Sequence, residues 1–389
     1  MNFETKLTQY DPAPGDPFKP TSTPIYQSAT FEQDSPTDFG PYDYSRSGNP
    51  TRDVLQGQLA NLDNGKFAFA YSSGMAATAT LTSLVKSGEE VLIGHDIYGG
   101  TYRFMERVAR EHGVSVKHVD TTDLEQVRKA LSPNVRLAII ESPSNPMLDI
   151  TDIRAMAGLC HEFGTWLAVD NTLMSPYLQR PLELGADVVI HSATKALSGH
   201  ADFMSGALIC NDEDLGERLA FRTNAMGTAL GPFECFLLMR GMKTLAIRME
   251  AQQKNAALVA AFLRGDERVG QTIYTGFEDH PGYALHQRQA SGAGPVLSVR
   301  LGTPERAAAF VSSCKLFHTT VSFGSLCSTI SLPYCMSHAS IPEEVRKTKS
   351  FTPDLVRLSV GIENAQDLIE DLDRALSAIG SLAVVGVSS

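Results

Sequence analysis

Short apolar runs alternate with helical patterns between residues 65 and 190. The runs predict strands at Lys66–Tyr71, Val91–Ile93, Val114–Val119, Leu137–Ile140, Trp166–Val169 and Val188–Ile190. Apolar residues recur at helical spacing between them, most clearly over 153–163, where Thr151 is positioned to cap a helix and Gly164 to end it. Strands that alternate with helices are typical of an α/β fold with a mostly parallel, doubly wound sheet.

The two ends of the chain show different patterns. Residues 1–60 are rich in Pro, Gly, Thr and Tyr, and we interpret them as an extended arm that packs on another part of the protein or on another subunit. A helical region around 231–264 is predicted to link two domains. Beyond it, helices alternate with predicted strands at Val296–Leu301, His318–Phe323 and Leu355–Val360. We therefore divide the chain into an arm (1–60), a large α/β domain (61–243) and a smaller α+β domain (244–389).

Composition excludes several classes of protein. The 389 residues are 43% hydrophobic and 20% charged, which is typical of globular proteins and excludes a disordered chain. The net charge of −11 argues against nucleic-acid binding and against attraction to anionic membranes. The longest unbroken apolar run, Ala256–Leu263, is too short for a transmembrane helix. We expect neither a nucleic acid nor a membrane as a partner.

The cysteines and the N-terminal residues bear on location. The six cysteines include no CxxC pair and are interpreted as reduced, mostly core residues. The first residues carry Glu4, Asp11 and Asp16 among several prolines, which matches neither a secretory signal nor an Arg-rich transit peptide. We therefore expect a cytoplasmic protein.

Polar residues follow the predicted strands of the large domain. Ser72-Ser73-Gly74-Met75 follows the first strand and opens a helix, whose free N–H groups are suited to an anion, although an ordinary tight turn has the same pattern. Asp170-Asn171-Thr172 and His191-Ser192-Ala193-Thr194-Lys195 follow two later strands. These residues are expected to meet at the carboxyl edge of the sheet.

Lys195 and Asp170 together suggest a pyridoxal 5′-phosphate (PLP) site. Desolvation beyond a buried strand would lower the pKa of Lys195 and free its amine for a Schiff base, whereas a lysine that extends to solvent is the alternative. Asp170 is suited to a protonated pyridine nitrogen or, alternatively, to a helix N-cap. Ser192 and Thr194 offer hydroxyls for a phosphate. The S-x-x-K pattern of serine acyl-enzymes also fits Ser192 and Lys195, but the K-T-G and S-D-N elements are missing.

Other charged residues have simpler or competing interpretations. Arg357 interrupts an apolar strand and is suited to an amino-acid carboxylate, with an edge strand facing water as the alternative. His191, His200 and His338 are interpreted as structural, and no HExxH motif or Cys/His cluster predicts a metal site.

Seven motifs in order resemble the PLP-dependent Cys/Met metabolism (trans-sulfuration) family over nearly the whole chain. The family includes cystathionine β-lyases, γ-lyases and γ-synthases and methionine γ-lyases. The motifs are Tyr44-Ser45-Arg46-Ser47-Gly48-Asn49-Pro50-Thr51, Ser73-Gly74-Met75, Tyr98-Gly99-Gly100, Ser142-Pro143-Ser144-Asn145-Pro146, Asp170-Asn171-Thr172, His191-Ser192-Ala193-Thr194-Lys195 and 355–363. The resemblance implies PLP as cofactor and the transferase fold of type I, with a mostly parallel seven-stranded sheet and a smaller C-terminal α+β domain.

The resemblance also implies a role for each matching residue. Lys195 would hold PLP covalently and move protons, with Tyr98 as the second catalytic residue and the stacking partner of the cofactor ring. Asp170 would bind the pyridine nitrogen, and Asn145 would lie near the ring hydroxyl. The cofactor phosphate would be bound by Gly74, Met75, Ser192 and Thr194, and Thr172 would be a further cofactor-binding residue.

Further roles concern the neighbouring subunit and the substrate. Tyr44 and Arg46 would reach the phosphate in a neighbouring subunit, which implies a homotetramer built as a dimer of dimers. The substrate carboxylate would be bound by Ser322 and Arg357, with Tyr44 and Asn145 also near the substrate.

The region 321–342 is most similar to plant-type cystathionine β-lyases. The γ-type enzymes usually have a Gly-Gly pair followed by Glu, whereas this chain has Gly324-Ser325 and then Ser328. Methionine γ-lyases usually have Cys after Tyr-Gly, where this chain has Gly100. The resemblance therefore favours β-elimination of L-cystathionine, with γ-elimination or γ-synthesis as the alternative. Plant-type relatives are plastid enzymes, which makes the plastid the alternative location.

Overall fold

A computed structural model describes residues 1–380 of the chain, so the predicted end of the small domain, 381–389, lies outside the described residues. The strands of the large sheet are β1 (Phe67–Tyr71), β2 (Glu90–Gly94), β3 (Ser115–Val119), β4 (Val135–Glu141), β5 (Trp166–Asp170), β6 (Val188–His191) and β7 (Gly206–Cys210). Their order is β1-β7-β6-β5-β4-β2-β3. Only β7 runs antiparallel to its neighbours, so the predicted mostly parallel seven-stranded sheet is confirmed. β7 is a strand that the pattern of apolar runs does not predict.

Helices cover both faces of this sheet. They are α1 (Phe3–Thr8), α2 (Pro50–Asp63), α3 (Gly74–Thr82), α4 (Gly99–Arg103), α5 (Leu124–Ala130), α6 (Ile153–Glu162), α7 (Ser175–Leu178) and α8 (Glu213–Met226), with a π-helical segment at Phe104–Ala109 and a 3-10 turn at Pro181–Leu184. Successive side chains of β7 point to opposite faces of the sheet, so its apolar residues are buried only if helices pack on both faces. Ile209 belongs to the same buried cluster as Leu59 of α2, whereas Leu208 belongs to that of Leu81 of α3.

The predicted helix over 153–163 is present, but its cap differs from the prediction. Asp152 caps α6, because its carboxylate accepts the N–H of Ala155 at 3.0 Å. The hydroxyl of Thr151 is instead paired with the hydroxyl of Thr121 at 2.6 Å.

A second, smaller sheet is formed by strands that come later in the chain. Its strands are β8 (Gln271–Ile273), β9 (Val296–Arg300), β10 (His318–Thr319), β11 (Thr329–Ser331) and β12 (Leu355–Ser359), in the order β10-β11-β12-β9-β8. The remaining helices are α9 (Pro232–Met242), α10 (Leu245–Gly265), α11 (Tyr283–Gln289), α12 (Pro304–Ser313), α13 (Glu343–Arg346) and α14 (Ala365–Ile379). No helix within residues 1–380 is both long and apolar enough to cross a membrane.

The predicted strand His318–Phe323 is wrong beyond Thr319. Residues 320–328 form a loop that turns toward the large sheet. Gly324 makes this turn possible, because it has a φ of +76° and a Cβ there would lie 2.9 Å from the backbone nitrogen of Ala196. The loop thus brings the smaller part of the molecule against the residues that follow β6.

The N-terminal segment is largely irregular between α1 and α2. Between these two helices, Thr30 and Tyr44 form an isolated antiparallel β-bridge. Because α2 begins at Pro50, the last part of the predicted arm is helical and packs on the large sheet. The three domain boundaries remain predictions.

Candidate active site

A cavity of about 210 Å³ lies at the carboxyl ends of the large-sheet strands. Residues from the large sheet and from the loop before β11 line it together. Ten of the predicted site residues line it: Gly74, Met75, Tyr98, Asn145, Asp170, Thr172, Ser192, Thr194, Lys195 and Arg357.

Lys195 extends into the cavity rather than to bulk solvent. Its Nζ donates a hydrogen bond to Ser322 Oγ at 2.7 Å. Burial, and secondly the Arg357 guanidinium, lower the pKa of Lys195 to about 8, while Asp170 opposes this. A lysine with this pKa has an appreciable fraction of neutral amine at physiological pH, which a nucleophile requires.

Asp170 ends β5 beside the lysine. Its Oδ1 accepts the backbone N–H of Thr172 at 3.0 Å, and the next helix, α7, is preceded by Met174, so Asp170 is not a helix N-cap. Burial raises the pKa of Asp170. Hydrogen bonding by Thr172, followed by electrostatic attraction from His191 and Lys195, counteracts that rise. Thr172 in turn fixes the lysine loop, because its Oγ1 accepts the N–H of Ser192 at 2.7 Å.

The start of α3 forms a cradle for an anion. Ser73 caps the helix by accepting the N–H of Ala76 at 3.0 Å, and the first N–H groups, those of Gly74 and Met75, have no intrahelical acceptor. A Cβ on Gly74 would lie 2.9 Å from Ser192 Cβ, so the close approach requires glycine. The hydroxyl of Thr194 is anchored nearby through the backbone of Ser205 at 2.9 and 3.1 Å.

Arg357 lies in β12, the central strand of the small sheet, and is 1% exposed, so the edge-strand alternative is wrong. Its Nη1 donates to Asn145 Oδ1 at 3.1 Å, and its Nη2 donates to the Ser322 carbonyl at 2.8 Å. Within residues 1–380 its Nε has no hydrogen-bond partner, and no carboxylate pairs with it. Burial lowers the pKa of Arg357 to about 10, so the group is still charged at neutral pH. A buried, unpaired guanidinium suits a ligand carboxylate.

The comparisons with known proteins agree with this geometry. The model of the Cys/Met metabolism PLP-dependent enzyme family matches residues 4–377. The chain belongs to this family. The chloroplastic cystathionine β-lyase of Arabidopsis thaliana is 50% identical, over 92% of this chain and 78% of its own length. Cystathionine γ-lyase of Bacillus subtilis is 45% identical, over 92% of this chain and 94% of its own.

A solved structure of the same family shares the fold. The crystal structure of cystathionine γ-lyase from Lactobacillus plantarum, complexed with L-serine, superposes with a TM-score of 0.95 at 38% identity. It covers 98% of this chain and 100% of its own. PLP is therefore the cofactor of this chain, and the serine acyl-enzyme hypothesis for Ser192 and Lys195 is wrong.

The cavity residues fit PLP in three respects that are independent of the comparisons. The glycine cradle at Gly74 leaves space and N–H donors for a phosphate. The amine of Lys195 has the lowered pKa that an aldehyde-binding lysine requires. The buried carboxyl of Asp170 can pair with a protonated ring nitrogen.

Three predicted residues do not line the cavity of their own chain. Ser322 contacts Lys195 from just outside the lining. Tyr44 and Arg46 make contacts elsewhere: the guanidinium of Arg46 lies 5.0 Å from the centroid of the Tyr44 ring, and its Nε donates to Asn224 Oδ1 at 3.1 Å. Both side chains are on the surface.

Phe323 and Glu141 are among the cavity residues that the sequence did not predict. The ring of Phe323 lies 5.1 Å from Lys195 Nζ and 5.2 Å from Arg357 Cζ, within the range of cation–π attraction. Glu141 ends β4, and its Oε1 accepts the backbone N–H of Tyr98 at 2.8 Å. In the sequence, the position of Glu141 as a charged residue at the end of a buried strand could have indicated that it belongs to the site. Within residues 1–380, no group of His, Cys, Asp or Glu side chains could hold a metal ion.

Proposed function

We propose that the chain is a cystathionine β-lyase, which converts L-cystathionine and water to homocysteine, pyruvate and ammonia. One observation carries the proposal: a single cavity contains a lysine amine of lowered pKa, a carboxyl for the cofactor ring and an unpaired buried guanidinium for a substrate carboxylate. These are the groups needed to remove a proton beside the carboxylate of an amino acid.

The cofactor would be held at several points. Lys195 would bind its aldehyde carbon, Asp170 its ring nitrogen, and Tyr98 would stack on its ring, with Asn145 near the ring hydroxyl. The phosphate would be bound by Gly74, Met75, Ser192 and Thr194, and Thr172 would be a further cofactor-binding residue. When bound, PLP supplies the electron sink that stabilises negative charge at Cα of the substrate.

The residues of the chain would then act in order. Arg357 and Ser322 bind the α-carboxylate and fix the orientation of the substrate. The amine of Lys195, released from the cofactor when the substrate amine replaces it, would remove the proton from Cα, and the bond between Cβ and sulfur would break. Lys195 or Tyr98 returns a proton to the sulfur, which leaves as homocysteine. Water completes the release of pyruvate and ammonia from the remaining three carbons.

The choice of β- over γ-elimination concerns how the substrate is positioned. γ-Elimination requires a second proton removal, at Cβ, by the same lysine, so both reactions use the same catalytic groups. Residues 324–328 lack the Gly-Gly pair and following Glu of the γ-type enzymes, and a plant β-lyase is more similar to this chain than the Bacillus γ-lyase. Both observations favour β-elimination.

The assembly and the location are also proposals. A homotetramer, built as a dimer of dimers, is supported by the arm, where Phe18 is 90% and Phe39 62% exposed and would gain cover from a second subunit. In such a dimer Tyr44 and Arg46 would reach the cavity of the neighbour. A cytoplasmic location is supported by six free cysteines, which fit a reducing compartment, and the plastid is the alternative because the Arabidopsis relative is chloroplastic.

Steady-state assays test the proposed function. The PLP-loaded protein is incubated with L-cystathionine, and free thiol and 2-oxo acid are measured together. We expect both to form at equal rates, a Lys195→Ala variant to lose nearly all activity, and a Lys66→Ala variant at the surface to retain it. Wild-type turnover by Lys195→Ala would contradict the assignment of the lysine, and failure of the wild-type protein to bind PLP would contradict the function.

A further inference from the structure

Glu141 forms the wall between two cavities. It lines the candidate active site and also a second, polar cavity of about 310 Å³. Asp96, Asp149 and Lys349 line that second cavity as well. Toward the active site, Glu141 Oε1 accepts the backbone N–H of Tyr98 at 2.8 Å. The carboxyl group therefore contacts the backbone of the residue whose ring lies in the active-site cavity.

Tyr98 depends on such contacts because it lies at the end of a loop. The loop leads from β2 to α4, and the Tyr98 side chain is 40% exposed. On the other side of the turn, Ser340 Oγ donates to the carbonyl of Gly99 at 3.2 Å, and a Cβ on Gly99 would lie 2.4 Å from the Ser337 carbonyl oxygen. Ser337 and Ser340 therefore contact the turn at Gly99, and Glu141 contacts it at Tyr98.

We propose that Glu141 is a positioning residue of the active site: its carboxyl group holds the Tyr98 backbone and so fixes the Tyr98 ring against the cofactor. The inference deepens the proposed function and rests on it, because it takes Tyr98 to be the residue that faces PLP. Glu141 itself contacts neither substrate nor cofactor in this proposal. It acts through Tyr98.

The surroundings of Glu141 determine the state in which it acts. It is the register partner of Asp170 on the adjacent parallel strand, so two carboxyls end neighbouring strands. Burial, then Asp170, and more weakly Asp96, raise the pKa of Glu141 well above its usual range, against the bond from Tyr98. The Lys349 ammonium donates to the His95 carbonyl. Thr172, His191 and Lys195 oppose the rise in the pKa of Asp170, so of the two carboxyls Asp170 is favoured for the negative charge and Glu141 for the proton.

Two substitutions separate the parts of this proposal. Glu141→Gln retains an oxygen acceptor for the Tyr98 N–H and mimics a neutral acid, so PLP affinity and kcat should stay within about twofold of wild type. Glu141→Ala removes the acceptor of the Tyr98 N–H and frees the turn on that side, so we expect about tenfold weaker PLP binding and about tenfold lower kcat with little change in KM. Asp149→Ala in the second cavity is the matched control and should leave all three values unchanged.

A double-mutant cycle distinguishes positioning from general stabilisation. In a Tyr98→Ala background, Glu141→Ala should cause no further loss of PLP affinity or kcat, because the group that it positions is already gone. Cofactor circular dichroism in the visible region reports the same loss of order, and thermal unfolding of each apoenzyme checks that it is folded. Losses that multiply in the double variant would overturn the proposal, as would wild-type values for Glu141→Ala. A Glu141→Gln variant as impaired as Glu141→Ala would overturn the neutral-acid assignment, whereas a wild-type protein that does not bind PLP would contradict the proposed function instead.

Discussion

Lys195 and Ser322 connect the two parts of the molecule: the lysine Nζ donates a hydrogen bond to the serine Oγ at 2.7 Å. Lys195 follows β6 of the large sheet, whereas Ser322 lies in the loop between β10 and β11 of the small sheet. The carbonyl of Ser322 also accepts a hydrogen bond from Arg357. One serine therefore contacts both the proposed base and the proposed carboxylate anchor.

Removing the Ser322 hydroxyl is expected to impair catalysis. Ser322→Ala deprives Lys195 of its acceptor while the backbone contact to Arg357 remains, and hydrogen bonds to charged groups contribute about 1.5–3 kcal/mol. We predict at least a tenfold lower kcat/KM for L-cystathionine, measured by thiol release. Ser325→Ala in the same loop is the control, because its hydroxyl contacts only the Cys327 carbonyl in the described structure. Equal rates for wild type and Ser322→Ala would refute a role for this hydroxyl.

The lowered pKa of Lys195 predicts a pH dependence of cofactor loading. The neutral amine reacts with an aldehyde, so the rate of PLP binding to the apoenzyme should rise with pH and level off above the lysine pKa, which burial lowers to about 8. Stopped-flow absorbance measures this midpoint. Arg357 also lowers the pKa of Lys195, so Arg357→Gln should move the midpoint to higher pH. A wild-type rate that still rises at pH 10 would be incompatible with a desolvated lysine.

The fork of Arg357 is expected to determine substrate binding. Arg357→Lys retains the charge but loses the two-pronged donor geometry, so we predict a KM for L-cystathionine more than tenfold higher and an unchanged affinity for PLP. Arg300→Lys is the matched control, because Arg300 lies on the neighbouring strand and binds Ser350 and Thr352 instead. If both variants had the same KM, Arg357 would not bind the carboxylate.

The exposed positions of Tyr44 and Arg46 are consistent with an active site that two subunits share, and this can be tested. Arg46→Ala and Lys195→Ala proteins, each nearly inactive, are mixed, dissociated and reassembled. In a mixed dimer one of the two sites has no defect, so about a quarter of wild-type activity should return if subunits pair at random. No recovery in a mixture whose exchange is verified by mass spectrometry would mean that Arg46 does not act on the neighbouring subunit.

Much of the large sheet could be predicted because its signals are local. Asp170 ends one short apolar strand and Lys195 lies a few residues beyond another, and parallel strands bring their carboxyl ends to one edge. The Gly74 turn was identified for the same reason, since a strand, a glycine and a helix follow one another within a few residues.

The parts that could not be predicted depend on contacts far apart in sequence. Residues 320–323 have the composition of a strand, but the approach of Gly324 to Ala196 bends them into the cavity, and no local pattern encodes that approach. Phe323 enters the site through such packing. The burial of Arg357 likewise follows from the strand order of the small sheet, in which β12 lies between β11 and β9.

Product identification tests the central claim most directly. The PLP-loaded protein is incubated with L-cystathionine labelled with carbon-13 in its three-carbon half, and the products are identified by NMR spectroscopy. We predict labelled pyruvate together with unlabelled homocysteine, because the bond between Cβ and sulfur breaks. Labelled cysteine together with unlabelled 2-oxobutyrate would contradict β-elimination and would identify the chain as a γ-lyase.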